Sequence, residues 1–418
     1  MVLSVDSSGT ACWRSRDAEA VAGLLVDHSS DYGIVRIADI TGLDLTGIPV
    51  YIGIRPDAMT LSVSAGKGIN KIDSFVSAGM EAVETAVAER MKPSEIINAC
   101  TSDLGNKVMM DLSKLTQYST SSFTDSSVVS WCEARRLLDG KEVYVPANMV
   151  SLNKRLIVEG IDIFPWSSNG LASGLSESDA VLSGMYELIE RDAWTCWEYY
   201  SRVKRVPITS VEEESIPYES TMKLINSLRR EGLNIIINPL RTELDIPVFR
   251  ALLVNDVDMS SMGVSLGFGC HHSTEVALNR AVTEAVQART VYISGARDDI
   301  VMKGVTWSSD ISATEIKARY FPDKIEDSVF DFQDSEEAVR DLCQRFKEMK
   351  WEVPCIYRYS DCGPFKVVRV ISESLAPSSA RHGLPYCKQT RVGLFQPRLS
   401  GIQEVFKGLG EGINREHE

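Results

Sequence analysis

Apolar and polar residues alternate over residues 33–40 (GIVRIADI), which predicts a half-buried strand. Residues 17–26 before it carry apolar positions at helical spacing, and 50–54 and 61–65 read as short strands. Residues 74–91 form a strong amphipathic helix that Pro93 stops, with a further short helix expected over 94–99. Residues 119–130 are Ser/Thr-rich and read as a loop, and 155–162 as extended. A long helix is expected over 176–200, opened by the capping pair Ser176 and Asp179. Residues 221–231 (helix), 233–239 (strand), 247–254 (strand) and 273–294 (long helix) follow. Beyond 306 the pattern gives a charged helix at 335–350 and strands at 353–358 and 365–371; from Leu375 on, the chain is Gly/Pro-punctuated and poorly patterned. The class is α/β with a mixed α+β character, mixed sheets packed by helices. The division expected is a lead-in over 1–60 and a main domain over 61–418, itself split into 61–305 and 306–418.

One frame recurs on three of these helices. Ser77, Glu81 and Glu84 are spaced four and three apart; so are Ser183, Glu187 and Glu190, followed by Arg191; so are Arg280, Glu284 and Gln287, with Arg289 two residues on. Such spacing puts each set on one helical face. In the first helix the apolar stripe Val76, Met80, Val83 and Val87 is set one residue back, so the acids border the packed face. Carboxylates one turn apart repel unless a cation or proton intervenes. Acids converging from several helices suit a hard, oxygen-seeking cation, Mg2+ above all, and Arg191 and Arg289 suit phosphate oxygens. Together they suggest a Mg–nucleotide site without a P-loop.

The 418 residues carry 58 acidic and 44 basic side chains, a net charge of −14 with no basic block, which disfavours nucleic acid as a partner. Nine scattered cysteines without a C-x-x-C fit a reducing, cytoplasmic setting. No apolar run is long enough to span a membrane, and the first residues do not read as a signal peptide. Gly66-Lys67-Gly68 reads either as a phosphate-facing turn or as a simple strand-to-helix turn. Gly267 and Gly269 lack the third glycine of a dinucleotide fingerprint. Gly263, Ser265 and Gly267 match a nucleophile elbow, which gives a remote serine-hydrolase reading with Ser265 as nucleophile and His272 or His382 as base. Adjacent Cys270, His271 and His272 make a poor metal site.

The segments Asn169–Gly174 and Glu187–Ala193, with the three frames above, Gly66-Lys67-Gly68, Gly267-Phe-Gly-Cys-His271 and the entry residues Arg36, Asp39 and Asp44, resemble the YcaO family in motif order from about residue 10 to 300. The resemblance implies a YcaO-type ATP-binding fold, usually a homodimer, with ATP and Mg2+ as cofactors. The reaction implied is ATP-dependent activation of a peptide backbone amide. A nucleophile adds to the carbonyl, the oxyanion takes the γ-phosphoryl group, and phosphate leaves, giving a thioamide, amidine or azoline. A ribosomally made precursor peptide is the implied substrate, with a TfuA-like or leader-binding partner. The resemblance assigns metal binding to Glu81, Glu84, Asp179, Glu187 and Glu190, and catalysis to Glu187, Glu190 and Arg191. Arg14, Lys67, Ser77, Ser183, Arg191, Glu284, Gln287 and Arg289 would hold the nucleotide. Leu175 and Asp179 stand where the family often has Asn and Glu, which favours the alternative of a non-catalytic accessory member, as in ribosomal-protein methylthiolation. The end of the sequence lacks the proline-rich terminus of many azoline formers, which leans the expectation to thioamide, amidine or accessory chemistry.

Overall fold

The computed structural model describes residues 18–104, 110–115, 124–157, 164, 166–203, 209–255, 264–297, 320–328, 330, 332–376 and 395. Arg14 and His382 lie outside them.

Helix α1 (Ala18–His28) leads into an antiparallel sheet, β1 (Arg36–Asp39), β2 (Val50–Ile54) and β3 (Val63–Lys67), in that spatial order. The strands of the expected lead-in therefore share one sheet with the first strand of the main domain. Helix α2 (Lys71–Glu89) follows, its Asn70 cap accepting from the Asp73 amide at 2.9 Å. After Pro93 the chain makes a single 3-10 turn and then strand β4 (Ile97–Ala99), not the expected helix: Asn98 and Ala99 pair with Ser130 and Val129. Strands β5 (Val129–Arg136) and β6 (Glu142–Pro146) form a hairpin, and β7 (Leu171–Gly174) precedes the long helix α3 (Glu177–Val203). Of the extended stretch expected over 155–162, the described part opens as a 3-10 turn at Lys154–Leu156.

The second half holds β8 (Thr209–Val211), α4 (Glu219–Arg230), β9 (Leu233–Pro239), β10 (Val248–Asn255), β11 (Val264–Cys270), α5 (Thr274–Ser294), β12 (Phe321–Asp323), α6 (Ser335–Glu348), β13 (Cys355–Arg358) and β14 (Lys366–Ile371). Strands β9, β10 and β11 form an antiparallel sheet, and β8 pairs in parallel with β12. The largest sheet runs β4-β5-β13-β14-β7, so its edge strand β7 comes from the middle of the chain. Among the described residues no helix is long and apolar enough to cross a membrane.

Three strand–turn–helix units stand out: β3–α2, β7–α3 and β11–α5. In each the strand is the edge of its sheet and the next helix packs back on it. These are the helices with the acidic frames. Glycines set the spacing of strand and helix. A Cβ at Gly66 would stand 2.1 Å from the Ala78 amide nitrogen; at Gly267, 2.2 Å from Ala281 O and Ala285 N; at Gly269, 2.0 Å from Ala277 O. Gly66 and the Gly267–Gly269 pair thus serve close packing of backbone on backbone. Replacing Gly267 with alanine is expected to cost about 3 kcal/mol of stability, the upper range for an overpacked core. Denaturant unfolding measures this; an unchanged midpoint would mean that α5 shifts freely away from β11.

Ser265 lies inside β11, paired with Leu253 of β10, and its hydroxyl donates to the Ala285 carbonyl at 2.9 Å. A nucleophile elbow needs a sharp turn after a strand. Both ring nitrogens of His272 are occupied, Nδ1 by the Tyr186 hydroxyl and Nε2 by Asp341 at 3.1 Å. The place of Ser265 within a paired strand overturns the nucleophile elbow; His382, the other base named, lies outside the described residues.

Candidate functional site

The apolar stripe of α2 is packed as its sequence requires: Val76, Val83 and Val87 are buried, while Glu81 and Glu84 are half-buried at its margin. From that margin the carboxylates reach edge-strand amides. Glu81 Oε2 accepts from the Ala65 amide of β3 at 3.1 Å. Glu84 Oε1 crosses to β7 and accepts from Ser173 twice, from its amide at 2.9 Å and its hydroxyl at 2.7 Å. On α3, Glu187 Oε2 accepts from the amide of Gly170 at 3.0 Å. Gly170 sits at φ +77°, where a Cβ would meet the Val370 carbonyl 2.2 Å away. Each of these three carboxylates therefore has one oxygen anchored on backbone, and among the described residues the other accepts no hydrogen bond.

The third helix closes the ring. Glu284 of α5 is ion-paired with Lys67 at the end of β3, each side chain one-fifth exposed. Arg191 lies 3.9 Å from Glu187 and 4.0 Å from Glu190. Burial opposes its charge, yet Glu190, Glu187, Glu284 and Glu81 together hold its pKa above the ordinary value. The acids expected to converge from three helices thus act on one another.

The protonation pattern follows from crowding negative charge in a partly dry cleft. Burial pushes the Glu84 carboxyl up to about 8, helped by Glu81 and Glu187 and opposed by the Ser173 hydrogen bonds. Burial, with repulsion from Glu284, raises Glu190 to about 7. Glu81 is raised too, chiefly by burial. Burial also works against ionising Glu284, but Lys67 and Arg191 outweigh it and hold that carboxyl below its usual range. With only protein groups present, Glu190 therefore holds its proton to higher pH than Glu284 does.

Such a set fits a cation carried by a polyanion. Buried Arg191 Nε and Arg280 Nε have no hydrogen-bond partner among the described residues. Among the described residues no three acidic, His or Cys side chains are placed to hold one metal ion by themselves. Mg2+ is ordinarily bound through one or two carboxylates plus phosphate oxygens and water.

Other expected residues fall differently. Ser77, Ser183 and Gln287 are half-buried on the same helical faces as the acids. Asp179 completes the predicted cap: its amide donates to Ser176 Oγ at 3.1 Å, while its Oδ2 accepts from the Ser176 amide at 3.3 Å. Its buried carboxylate thus serves the start of α3, at odds with an assignment to metal alone. Arg289 points its Nε at Asp44, 3.0 and 3.2 Å from the two oxygens, and both residues are buried. Its Nε charge is answered inside the protein and latches the lead-in to α5.

Two residues were not singled out as site members. Arg280 heads the third frame and adds its charge beside Glu190 and Glu284, as the frame itself signalled. Arg369 on β14 is buried, donates to the Ser167 carbonyl and acts electrostatically on Glu187; nothing in its local sequence marks it.

Comparison with known proteins agrees with this geometry. Residues 65–376 match the YcaO family model, described as a YcaO cyclodehydratase, ATP- and Mg2+-binding. A protein from the tfuA 3′ region of Rhizobium leguminosarum bv. trifolii is 35% identical over 279 residues, 65% of each chain, so this chain spans just under two thirds of that relative. A Methanothermobacter thermautotrophicus protein is 32% identical over 277 residues, 66% of this chain and 70% of its own. Among solved structures, the fold is similar to YcaO from Methanopyrus kandleri bound with AMPPCP and Mg2+ (TM-score 0.68, 23% identity, 87% of this chain and 92% of that one). It is also similar to a heterocyclase in complex with substrate and cofactor (TM-score 0.72, 19% identity, 87% of this chain and 53% of that one). With three acidic helices gathered on one cleft and three quarters of its length matched, this chain belongs to the YcaO family of ATP- and Mg2+-binding proteins.

Proposed function

We propose that this protein activates a backbone amide of a ribosomally made precursor peptide at the expense of ATP, leading to a thioamide, amidine or azoline. The observation that carries the reading is the ring of Glu81, Glu84, Glu187, Glu190 and Glu284 facing Lys67 and Arg191. Bound Mg–ATP supplies the phosphoryl group that turns the former amide oxygen into a departing phosphate. The chain's own task is alignment and charge balance. One or two of Glu81, Glu84 and Glu187 would offer a second oxygen to a given magnesium ion. Arg191, Arg280 and Lys67 face the phosphates, and Glu284 holds Lys67 in register. Glu190, next to Arg191, gives up its proton when positive charge arrives.

The Rhizobium relative lies in a tfuA 3′ region, and this supports a TfuA-like protein as partner and sulfide as a nucleophile here. The accessory reading is favoured by one observation, the use of Asp179 in capping α3. The two readings separate on phosphate release. With Mg–ATP and a candidate precursor peptide, the enzyme reading expects peptide-dependent phosphate release. It also expects a peptide mass change, oxygen replaced by sulfur for a thioamide or loss of water for an azoline. Nucleotide binding without peptide-dependent release leaves the accessory reading.

A further inference from the structure

Glu84 differs from its neighbours in how it is held. Glu81 and Glu187 each take one backbone amide, whereas Glu84 Oε1 takes both donors of a single residue, Ser173. The contact joins two of the three strand–helix units: Glu84 belongs to α2 and Ser173 to β7, 89 residues apart. Ser173 is on the outer edge of β7, because its partner Val367 of β14 lies on the inner side and its amide is turned to Glu84. The amide alone would leave the carboxylate free to swing about one bond. Amide and hydroxyl together commit Oε1, and among the described residues Oε2 accepts no hydrogen bond.

We propose that Ser173 is a positioning residue that presets Glu84 as a one-oxygen ligand for the magnesium of a Mg–nucleotide. This inference rests on the Mg–nucleotide reading of the site and deepens it. Partners that orient a ligand from behind are worth roughly 10- to 100-fold in metal affinity. Since the alanine variant keeps the amide donor, its effect belongs at the lower end of that range.

The test is Mg2+ titration of the full chain at fixed AMPPCP, read by calorimetry, for wild type, Ser173→Ala and Ser173→Thr, with thermal melts of each. The expected result is an apparent Mg2+ affinity weakened roughly tenfold in Ser173→Ala and largely restored in Ser173→Thr, which keeps the hydroxyl. AMPPCP binding without Mg2+ should be the same in all three. If Ser173→Ala titrates like wild type, the positioning role is overturned while the Mg–nucleotide site stands. If Ser173→Ala is weak and Ser173→Thr equally weak with an unchanged melt, the hydroxyl is not what matters and the proposal again fails. Should Ser173→Ala melt early, Ser173→Thr decides alone, since wild-type affinity in it supports the role and a tenfold loss removes it. Wild type that binds no Mg–AMPPCP takes down both this inference and the reading beneath it.

Discussion

Arg191→Ala is expected to abolish peptide-dependent ATP consumption, a loss of about 10^3-fold or more, as when a charge-stabilising arginine is removed from a phosphoryl-transfer site. Arg191 is the cation on which the acids of all three helices act: Glu187 and Glu190 on its own helix, Glu284 on α5 and Glu81 on α2. Without it the developing phosphate charge would face a wall of carboxylates. Glu190→Gln should be as inactive for a different reason. The amide keeps the shape of a buried side chain but cannot take on negative charge when the metal arrives. The two variants part on stability. Glu190→Gln removes an acid whose burial is costly, so its melting temperature should stay level or rise. Arg191→Ala leaves Glu187 and Glu284 with less compensation and should melt somewhat lower. Phosphate-release assays beside thermal melts check both, and if either folded variant consumes ATP at the wild-type rate, the site has been assigned to the wrong residues.

Much of this site is written in side-chain spacing. The frames at Ser77, Ser183 and Arg280 locate the acids, and the stripe of Val76, Val83 and Val87 puts two of them at the margin of a packed face. What spacing cannot show is which partner each charge finds. Arg289 looks equivalent to Arg191 along its helix, yet Asp44, 245 residues away, claims it. Backbone donors leave no mark in a sequence at all, so the anchoring of Glu81, Glu84 and Glu187 on strand edges was illegible. The edge strands β7 and β11 were missed for a related reason. Leu171–Gly174 is four residues long and Val264–Cys270 is interrupted by Gly267 and Gly269, so neither shows clean alternation. Those glycines are needed because a helix backbone lies against the strand, and the tightness that builds the cleft weakens the local strand signal. Val129–Arg136 was lost behind the Ser/Thr-rich stretch that precedes it.

Without metal or nucleotide, the protein is expected to become more stable as the pH is lowered from about 8 toward about 6.5, the reverse of the usual behaviour of paired carboxylates. The sign follows from Glu84 and Glu190, raised chiefly by burial to about 8 and about 7. A carboxyl whose folded-state pKa exceeds its unfolded value binds its proton more tightly when folded. Its stabilisation is complete below the unfolded value, 4.5, and is lost as the pH climbs through the folded one. Acids of the opposite kind do not interfere: Asp39, held down to about 2 first by its Thr41 hydrogen bond, and Asp139, held down to about 2 first by Arg136, lose their contribution only below the ordinary carboxylate range. His272 does set a floor. Burial lowers its pKa below 6.5, so the unfolded chain takes up that proton first and stability from this group falls in acid. Mg–AMPPCP should reverse the trend, because it binds the ionised carboxylates and gains affinity as they deprotonate. Thermal melts across this pH range, with and without Mg–AMPPCP, are the measurement, and the expected difference is several degrees of opposite slope. Replacing both Glu84 and Glu190 with glutamine should flatten the metal-free slope. A metal-free protein that instead gains stability toward pH 8 would mean that the buried acids are already ionised and that the cleft is wetter and less crowded than its geometry implies.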